Sequence, residues 1–289
     1  MSISLPSALR RYWRLHDHVV ELTPDVVDEV TAAALDPCPV VVSRFAVRIR
    51  QRSALPDETW MRDRARLFAR FTLPSLEKQG IDGLVVLLLV DPSLRQAAEE
   101  TLGQLETDRV RLHVTPVTGE PGHRLATEPA ALPVPRSRRV LSVRLDSDDM
   151  LLPGILLPLV GLAERVDAGG LFDLFRGYRV DADKPEARHA GEVGQGPFLA
   201  IVNRPADVLD VGEFHPQARE GRTVYHVDEP AWVQVIHQHN VMNEMCDAAT
   251  WGDKARAALR GRSLVAFRFG RRLSEPELHS LLHRTGLEG

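Results

Sequence analysis

The stretch Arg138-Arg-Val-Leu-Ser-Val-Arg-Leu145 leads directly into the acidic sequence Asp146-Ser-Asp-Asp149. Its first part is apolar enough to predict a buried β-strand, and three carboxylates follow within four positions. Residues two apart share a face of an extended segment, and a tight turn would gather all three carboxylates. Such a cluster is unfavourable unless a positive charge neutralises it. The stretch therefore predicts a strand that ends in a cation-binding turn.

Three earlier segments also have the composition of strands. Residues 40–45 and 84–90 are continuous apolar runs, as in strands covered on both faces, and residues 109–115 alternate between apolar and polar. Segments with helical spacing separate them, over residues 63–79 and 93–106. This alternation predicts an α/β fold with a Rossmann-like, mixed and mostly parallel sheet and flanking helices.

Polar side chains follow three of the four predicted strands. Arg44 lies at the end of the first strand, Asp91 follows the second, and the acidic sequence 146–149 follows the fourth. Ligands of such sheets bind beyond the carboxyl ends of the strands. We therefore expect these residues to line one crevice.

The acidic sequence has the ligand chemistry of a metal site. Mg²⁺ and Mn²⁺ prefer oxygen ligands, and they bind through one or two carboxylates together with substrate phosphates. Asp146, Asp148 and Asp149 are therefore candidate ligands of an ion that neutralises a diphosphate leaving group. The alternative is a solvated turn with a helix-capping aspartate. The position of the turn after a buried strand favours the metal site.

The second half of the chain has shorter elements. A helix is predicted over residues 151–166, which Pro158 should bend or split. A last helix follows the N-cap residue Ser274. Further strands are predicted over residues 171–180, 198–203, 223–227 and 264–269.

Composition shifts divide the chain into three parts. Residues 1–38 are expected to form an N-terminal helical arm, and residues 39–245 the α/β domain. Residues 246–289 are expected to form a helix–strand–helix extension packed on the same domain.

Charge and hydropathy exclude several classes of protein. The formal net charge of −4 gives no basic field for nucleic acid. The longest apolar run, residues 84–90, is too short to span a bilayer, and the first residues lack the pattern of a signal peptide. The two cysteines, Cys38 and Cys246, form no metal or disulfide framework. We therefore expect a cytoplasmic protein.

Several short motifs together resemble a known family. They are Val42-Ser-Arg-Phe45, Arg70-Phe-Thr-Leu-Pro-Ser-Leu76 followed by Gln79, Val90-Asp-Pro92, Arg144-Leu-Asp-Ser-Asp-Asp-Met-Leu151, and His237-x-x-Asn240. Their order and spacing resemble the GT-A glycosyltransferases, in which a DxD-type motif ends a central strand. More closely, they resemble a bacterial family of rhamnosyltransferases. The resemblance covers roughly residues 40–245, and it implies that the α/β domain is a GT-A-like glycosyltransferase domain.

The resemblance implies a donor site for a nucleoside diphosphate sugar. Asp146 and Asp148 would bind the metal ion and the ribose or diphosphate. Asp149 would be a further metal ligand or would orient the donor sugar. Arg44 would lie beside the nucleotide, and Asp91 would contact its base or ribose.

Two further residues are candidates for the same site. Arg144 could pair with the acidic cluster or with phosphate, and a structural ion pair is the alternative. His237 could complete the metal shell or contact the diphosphate. A structural role for this histidine remains open.

An inverting transfer also needs a general base that deprotonates the acceptor. Glu213, Asp228 and Glu229 are candidates in the second half of the chain. Asp228 and Glu229 are preferred because Trp232 follows closely and could form an aromatic platform for a sugar. A solvated loop pair is the alternative.

The predicted function is Mg²⁺- or Mn²⁺-dependent sugar transfer to an acceptor hydroxyl or amine. The transfer is expected to be inverting, and only the family resemblance suggests rhamnose. One alternative is a nucleotidyltransferase of related fold, although residues 43–49 lack the glycine-rich loop of that class. Another is a non-catalytic binding or scaffold protein. Rossmann and Walker phosphate-binding motifs are absent from the sequence. The acceptor and the oligomeric state are left open.

Overall fold

The structure is a computed structural model, which describes residues 18–20, 22, 30–47, 57–105, 107–118, 132–134, 138–182, 186–193, 197–212, 221–237 and 266–287. The strands in these residues are β1 His18–Val20, β2 Val30–Thr31, β3 Cys38–Ala46, β4 Ile81–Asp82, β5 Leu84–Val90, β6 Val110–Pro116, β7 Val140–Arg144, β8 Met150–Leu151, β9 Leu171–Leu174, β10 Arg176–Asp181, β11 Ala187–Val193, β12 Phe198–Asn203, β13 Val224–Val227, β14 Trp232–Ile236 and β15 Ala266–Arg272. The α-helices are α1 Glu58–Leu67, α2 Leu73–Glu77, α3 Arg95–Leu102, α4 Leu156–Ala163 and α5 Glu275–Thr285.

A large sheet with the order β1-β13-β9-β12-β7-β3-β5-β6 forms the centre of the fold. Strand β12 is antiparallel to both of its neighbours, and every other neighbouring pair is parallel. The carboxyl ends of all strands except β12 therefore lie at one edge of the sheet. The chain thus has a mixed α/β fold with a mostly parallel, Rossmann-like sheet, as predicted.

Apolar side chains cover the large sheet on both faces. In β5, Leu84, Val86 and Leu88 belong to one core cluster, and Leu87 and Leu89 belong to another. Residues of a strand alternate between faces, so both faces of β5 are buried. This burial explains why the run is apolar at every position.

A smaller sheet has the order β15-β11-β10-β14-β8. Strand β8 directly follows the acidic sequence, and it pairs antiparallel with β14. Strand β14 also pairs in parallel with β10. The small sheet therefore holds the segment that follows the acidic sequence. Helix α5 covers part of this sheet, since Leu281 packs in the same cluster as Val233 and Val235.

Most predicted elements of the central sheet are confirmed, and two predictions in the second half are wrong. Residues 171–180 form two strands in different sheets, β9 and β10. The predicted helix 151–166 begins only at Leu156, because Met150 and Leu151 form β8. Pro158 then lies in the first turn of α4, where its missing N–H costs no helical hydrogen bond, and the helix is not split.

The described residues of the N-terminal part form strands and a 3₁₀ turn instead of the expected helices. Strand β1 pairs in parallel with β13, and β2 pairs with β4. The turn covers Ala32–Ala34. The first helix expected in the extension, before strand β15, lies outside the described residues. The division into arm, domain and extension stays a prediction. Across the described part of the chain, no helix has the length and apolar character to cross a membrane.

Candidate functional site

The acidic turn, residues Asp146–Asp149, is built on the backbone of the central strands. The N–H of Leu145 donates to the carbonyl of Val42 at 3.2 Å, which extends the pairing of β7 with β3. The N–H of Asp149 donates to the carbonyl of Asp146 at 3.1 Å and closes the turn. The turn therefore lies at the carboxyl edge of the sheet, next to the end of β3.

Two arginines from adjacent strands contact Asp146. Nη2 of Arg44 in β3 lies 3.2 Å from Oδ1 of Asp146, and Nη2 of Arg144 in β7 lies 3.8 Å from the same oxygen. Burial alone would raise the pKa of Asp146, but Arg44 and Arg144 hold it well below its ordinary value. Asp146 is thus a charged carboxylate whose side chain is still 31% exposed.

Asp148 is more deeply buried and contacts two other side chains, Arg64 and His237. Its side chain is 7% exposed and forms an ion pair with Arg64 of helix α1. Nε2 of His237, just after β14, lies 3.0 Å from Oδ2 of Asp148. Sequence predicted that His237 would reach the turn, and the pairing of β14 with β8 brings it there.

Asp149 has the weakest compensation of its charge. It is 1% exposed, and its Oδ1 accepts a hydrogen bond from the N–H of Val235 at 2.8 Å. Burial raises the pKa of Asp149 well above its ordinary value, and the nearby charges of Asp148 and Asp146 raise it further. The charged form of Asp149 is therefore unfavourable unless a further positive charge comes close to it.

Arg144 is the most deeply buried arginine at this edge. Burial and the repulsion of Arg44 lower the pKa of Arg144 to about 10, against the attraction of Asp146 and Asp149. The guanidinium remains charged at neutral pH. It is therefore a fixed positive charge beneath the acidic turn.

Other candidate residues lie farther along the same edge. Asp91 follows β5, and its Oδ1 accepts hydrogen bonds from the N–H and Oγ of Ser93 at 3.0 and 2.6 Å. Asp228 follows β13 and lies 2.9 Å from Arg176 in an exposed ion pair. Oε2 of Glu229 is buried, and none of the residues that the structure describes forms a hydrogen bond with it.

The expected aromatic platform is wrong. Trp232 is fully buried, and its Nε1 donates to the carbonyl of Leu174 at 2.6 Å. Its ring packs edge-on against Phe198. A buried ring offers no face to a sugar. Glu213, and residues 239 and 240 beyond His237, lie outside the described residues.

Arg64 is a site residue that the sequence motifs did not indicate. Arg64 lies next to Ala65 and three residues after Met61, both of which are buried in the core. An arginine beside the apolar stripe of an amphipathic helix is the signal that could have identified it. The direction of its side chain depends on how α1 packs on the sheet.

The motif around Ser75 and Gln79 also lacked a predicted role. Oγ of Ser75 accepts a hydrogen bond from the N–H of Leu151 at 3.3 Å. Nε2 of Gln79 donates to the carbonyl of Leu152 at 3.0 Å, and its Oε1 accepts from the N–H of Leu156 at 3.2 Å. These two buried side chains hold the segment that follows the acidic turn.

The ligand types at the turn fit a divalent cation. Carboxylates are ligands that Mg²⁺ and Mn²⁺ prefer, and a nearby cation would stabilise the charged form of Asp149. The described residues contain no group of three or more His, Cys, Asp or Glu side chains arranged to hold an ion. Arg44 and Arg64 occupy carboxylate oxygens instead. An ion would therefore compete with these arginines.

The comparisons with known proteins concern the part of the chain that contains this turn. No curated protein matches the chain. Residues 44–152 match the model of a family described as "Putative rhamnosyl transferase". The matched segment begins at Arg44 and includes Arg64, Asp91 and the whole acidic turn. The family predicted from the motifs is confirmed: over residues 44–152, the chain is similar to this rhamnosyltransferase family.

Proposed function

We propose that the chain is a GT-A-type glycosyltransferase that transfers a sugar, with rhamnose as the first candidate, from a nucleoside diphosphate to an acceptor hydroxyl or amine. The observation that supports this most is the acidic turn at the carboxyl end of the central strand β7, inside the segment that matches the family. In parallel sheets this edge is where ligands bind.

Asp146 and Asp148 are the proposed metal ligands, with Asp149 and His237 as further ligands. A bound Mg²⁺ or Mn²⁺ would neutralise charge on the diphosphate as its bond to the sugar breaks. Asp146 is the most accessible of the three carboxylates, which makes it the first ligand an ion would meet.

The arginines at the edge are proposed to bind the donor. Arg44 is partly exposed and could donate two parallel hydrogen bonds to phosphate oxygens. Arg144, buried in β7 beside Asp146, would supply a fixed positive charge. Asp91 would contact the ribose or base through the carboxylate oxygen that Ser93 does not occupy.

Glu229 is the proposed general base, and Asp228 is the second candidate. The acceptor oxygen would attack the anomeric carbon from the face opposite the diphosphate, which would leave with the bonding electron pair. The carboxylate of Glu229 would take the acceptor proton. Its buried Oε2 has no hydrogen-bond partner among the described residues, whereas Asp228 is paired with Arg176.

Calorimetric titration of nucleoside diphosphate sugars, a rhamnose donor among them, tests the donor site. With Mn²⁺, we expect at least one donor to bind, and Asp146→Asn to weaken that binding at least about tenfold. Asp146 is a better probe than Asp148 because its side chain is more exposed, 31% against 7%, so its replacement disturbs the core less. The control is Asp63→Asn, in an exposed ion pair on α1.

Equal donor affinity in the wild type and Asp146→Asn would contradict the donor site. An absence of donor binding, with or without Mn²⁺, would favour the alternative of a non-catalytic binding protein.

A further inference from the structure

Arg64 reaches the acidic turn from helix α1. It forms an ion pair with Asp148, in which the side chains of Arg64 and Asp148 are 15% and 7% exposed. The guanidinium therefore neutralises a carboxylate that is also a proposed ligand of the divalent cation.

Arg64 reaches the turn from a different side than Arg44. Helix α1 is anchored by Met61 and Ala65 in the core cluster that also contains Phe45. Val42, two residues before Arg44 on β3, belongs to the other core cluster, which places Arg44 on the opposite face of the sheet. The guanidinium of Arg64 lies over the ring of Trp60, with 5.1 Å from Cζ to the ring centroid.

We propose that Arg64 is an internal counter-ion of the metal-free chain, and that metal binding at Asp148 displaces it. This inference rests on the metal role in the proposed function. Arg64 and His237 both contact Oδ2 of Asp148 in a nearly dry environment. A divalent ion on the same carboxylate would repel the guanidinium, and the repulsion is strong where water is scarce.

The displaced guanidinium would need a new anionic partner. The diphosphate of the donor supplies one, because an arginine can donate two hydrogen bonds to phosphate oxygens. Metal and nucleoside diphosphate should therefore bind cooperatively. The metal alone or the diphosphate alone must break the Arg64–Asp148 ion pair and leave one of its members without a partner. When both bind, the metal pairs with Asp148 and the diphosphate pairs with Arg64.

Calorimetric titration of Mn²⁺ into the metal-free chain tests the competition. Removing the competing charge with Arg64→Met should tighten Mn²⁺ binding about tenfold, which is about 1.4 kcal/mol. Addition of a nucleoside diphosphate should tighten Mn²⁺ binding more in the wild type than in Arg64→Met. The control Arg62→Met removes an exposed arginine from the same helix and should change neither quantity.

Circular dichroism and thermal unfolding establish that each variant is folded. If Arg64→Met does not fold, Arg64→Gln removes the charge and keeps an amide donor, and it should give the same tightening. Arg64→Lys keeps the charge and should retain the weak Mn²⁺ binding of the wild type.

The outcomes separate this inference from the proposed function. Unchanged or weaker Mn²⁺ binding in folded Arg64→Met and Arg64→Gln, with a wild type that binds Mn²⁺, overturns the competition and leaves the metal site intact. An absence of Mn²⁺ binding in every protein overturns the metal site and the competition together.

Discussion

Asp149 links the electrostatics of single residues to the stability of the chain. Its pKa is raised by burial and by Asp148 and Asp146, so the folded chain holds this proton more tightly than the unfolded chain does. Protonation of Asp149 contributes fully to the free energy of unfolding below the ordinary aspartate pKa. This contribution is lost as the pH rises through the raised pKa of the folded chain.

Asp149→Asn should therefore raise the free energy of unfolding of the metal-free chain at neutral pH. The asparagine Oδ1 can still accept the hydrogen bond from Val235, and position 149 carries no charge at any pH. Urea unfolding in chelator over a pH series should show a flatter decline with rising pH than in the wild type. A variant less stable than the wild type at neutral pH would contradict this reading of the turn.

At the residue scale, the sequence predicted those site residues whose position follows from the order and direction of the strands. Asp146 follows β7 and Arg44 lies near the end of the parallel strand β3, so strand direction alone brings them to one edge. Arg64 could not be placed in this way, because the reach of a helical side chain depends on how the helix packs. The platform role of Trp232 failed because the sequence does not say which strand covers a ring.

At the scale of elements, Ser75 of helix α2 and Gln79 of the turn after it hold the segment that follows the acidic turn. Gln79 is fully buried and makes three hydrogen bonds, with Ser75, Leu152 and Leu156. Gln79→Ala should lower the free energy of unfolding by roughly 2–4 kcal/mol, because buried backbone groups lose their partners.

Urea unfolding measures the effect of Gln79→Ala. The control is Gln96→Ala on the exposed face of α3, where a single hydrogen bond to Glu100 is lost and the cost should stay below about 0.5 kcal/mol. Equal losses in the two variants would show that Gln79 does not hold this segment.

The long apolar strands were predictable, and the strand pair that completes the site was not. Strand β5 was predicted with its observed bounds, because a continuous apolar run between turns has few other interpretations. Strand β8 is two residues long, and its partner β14 lies about eighty positions away. No local pattern encodes such a pairing, although it is what brings His237 to Asp148.

At the scale of the whole molecule, Trp232 joins the two sheets. It belongs to β14 of the small sheet, and its indole N–H bonds to the carbonyl of Leu174 in β9 of the large sheet. Gly177 in β10 pairs directly with Trp232. A Cβ at position 177 would come within 2.3 Å of the indole ring.

Gly177→Ala should therefore lower the free energy of unfolding by about 1–3 kcal/mol, because the added methyl group overpacks the contact between the two sheets. Thermal unfolding should show a midpoint lowered by several degrees. Gly161→Ala is the matched control, because position 161 lies in helix α4 with open space around a Cβ, and it should be neutral or stabilising. An unchanged midpoint in Gly177→Ala would argue against this joint.

The central claim is that the acidic turn activates a nucleoside diphosphate sugar. The most direct test is the rate of nucleoside diphosphate release from a panel of such donors, with Mn²⁺ and with chelator. We expect the wild type to consume at least one donor, and we expect chelator or Asp146→Asn to reduce the rate at least about a hundredfold. The same rate from Asp146→Asn as from the wild type would contradict the account.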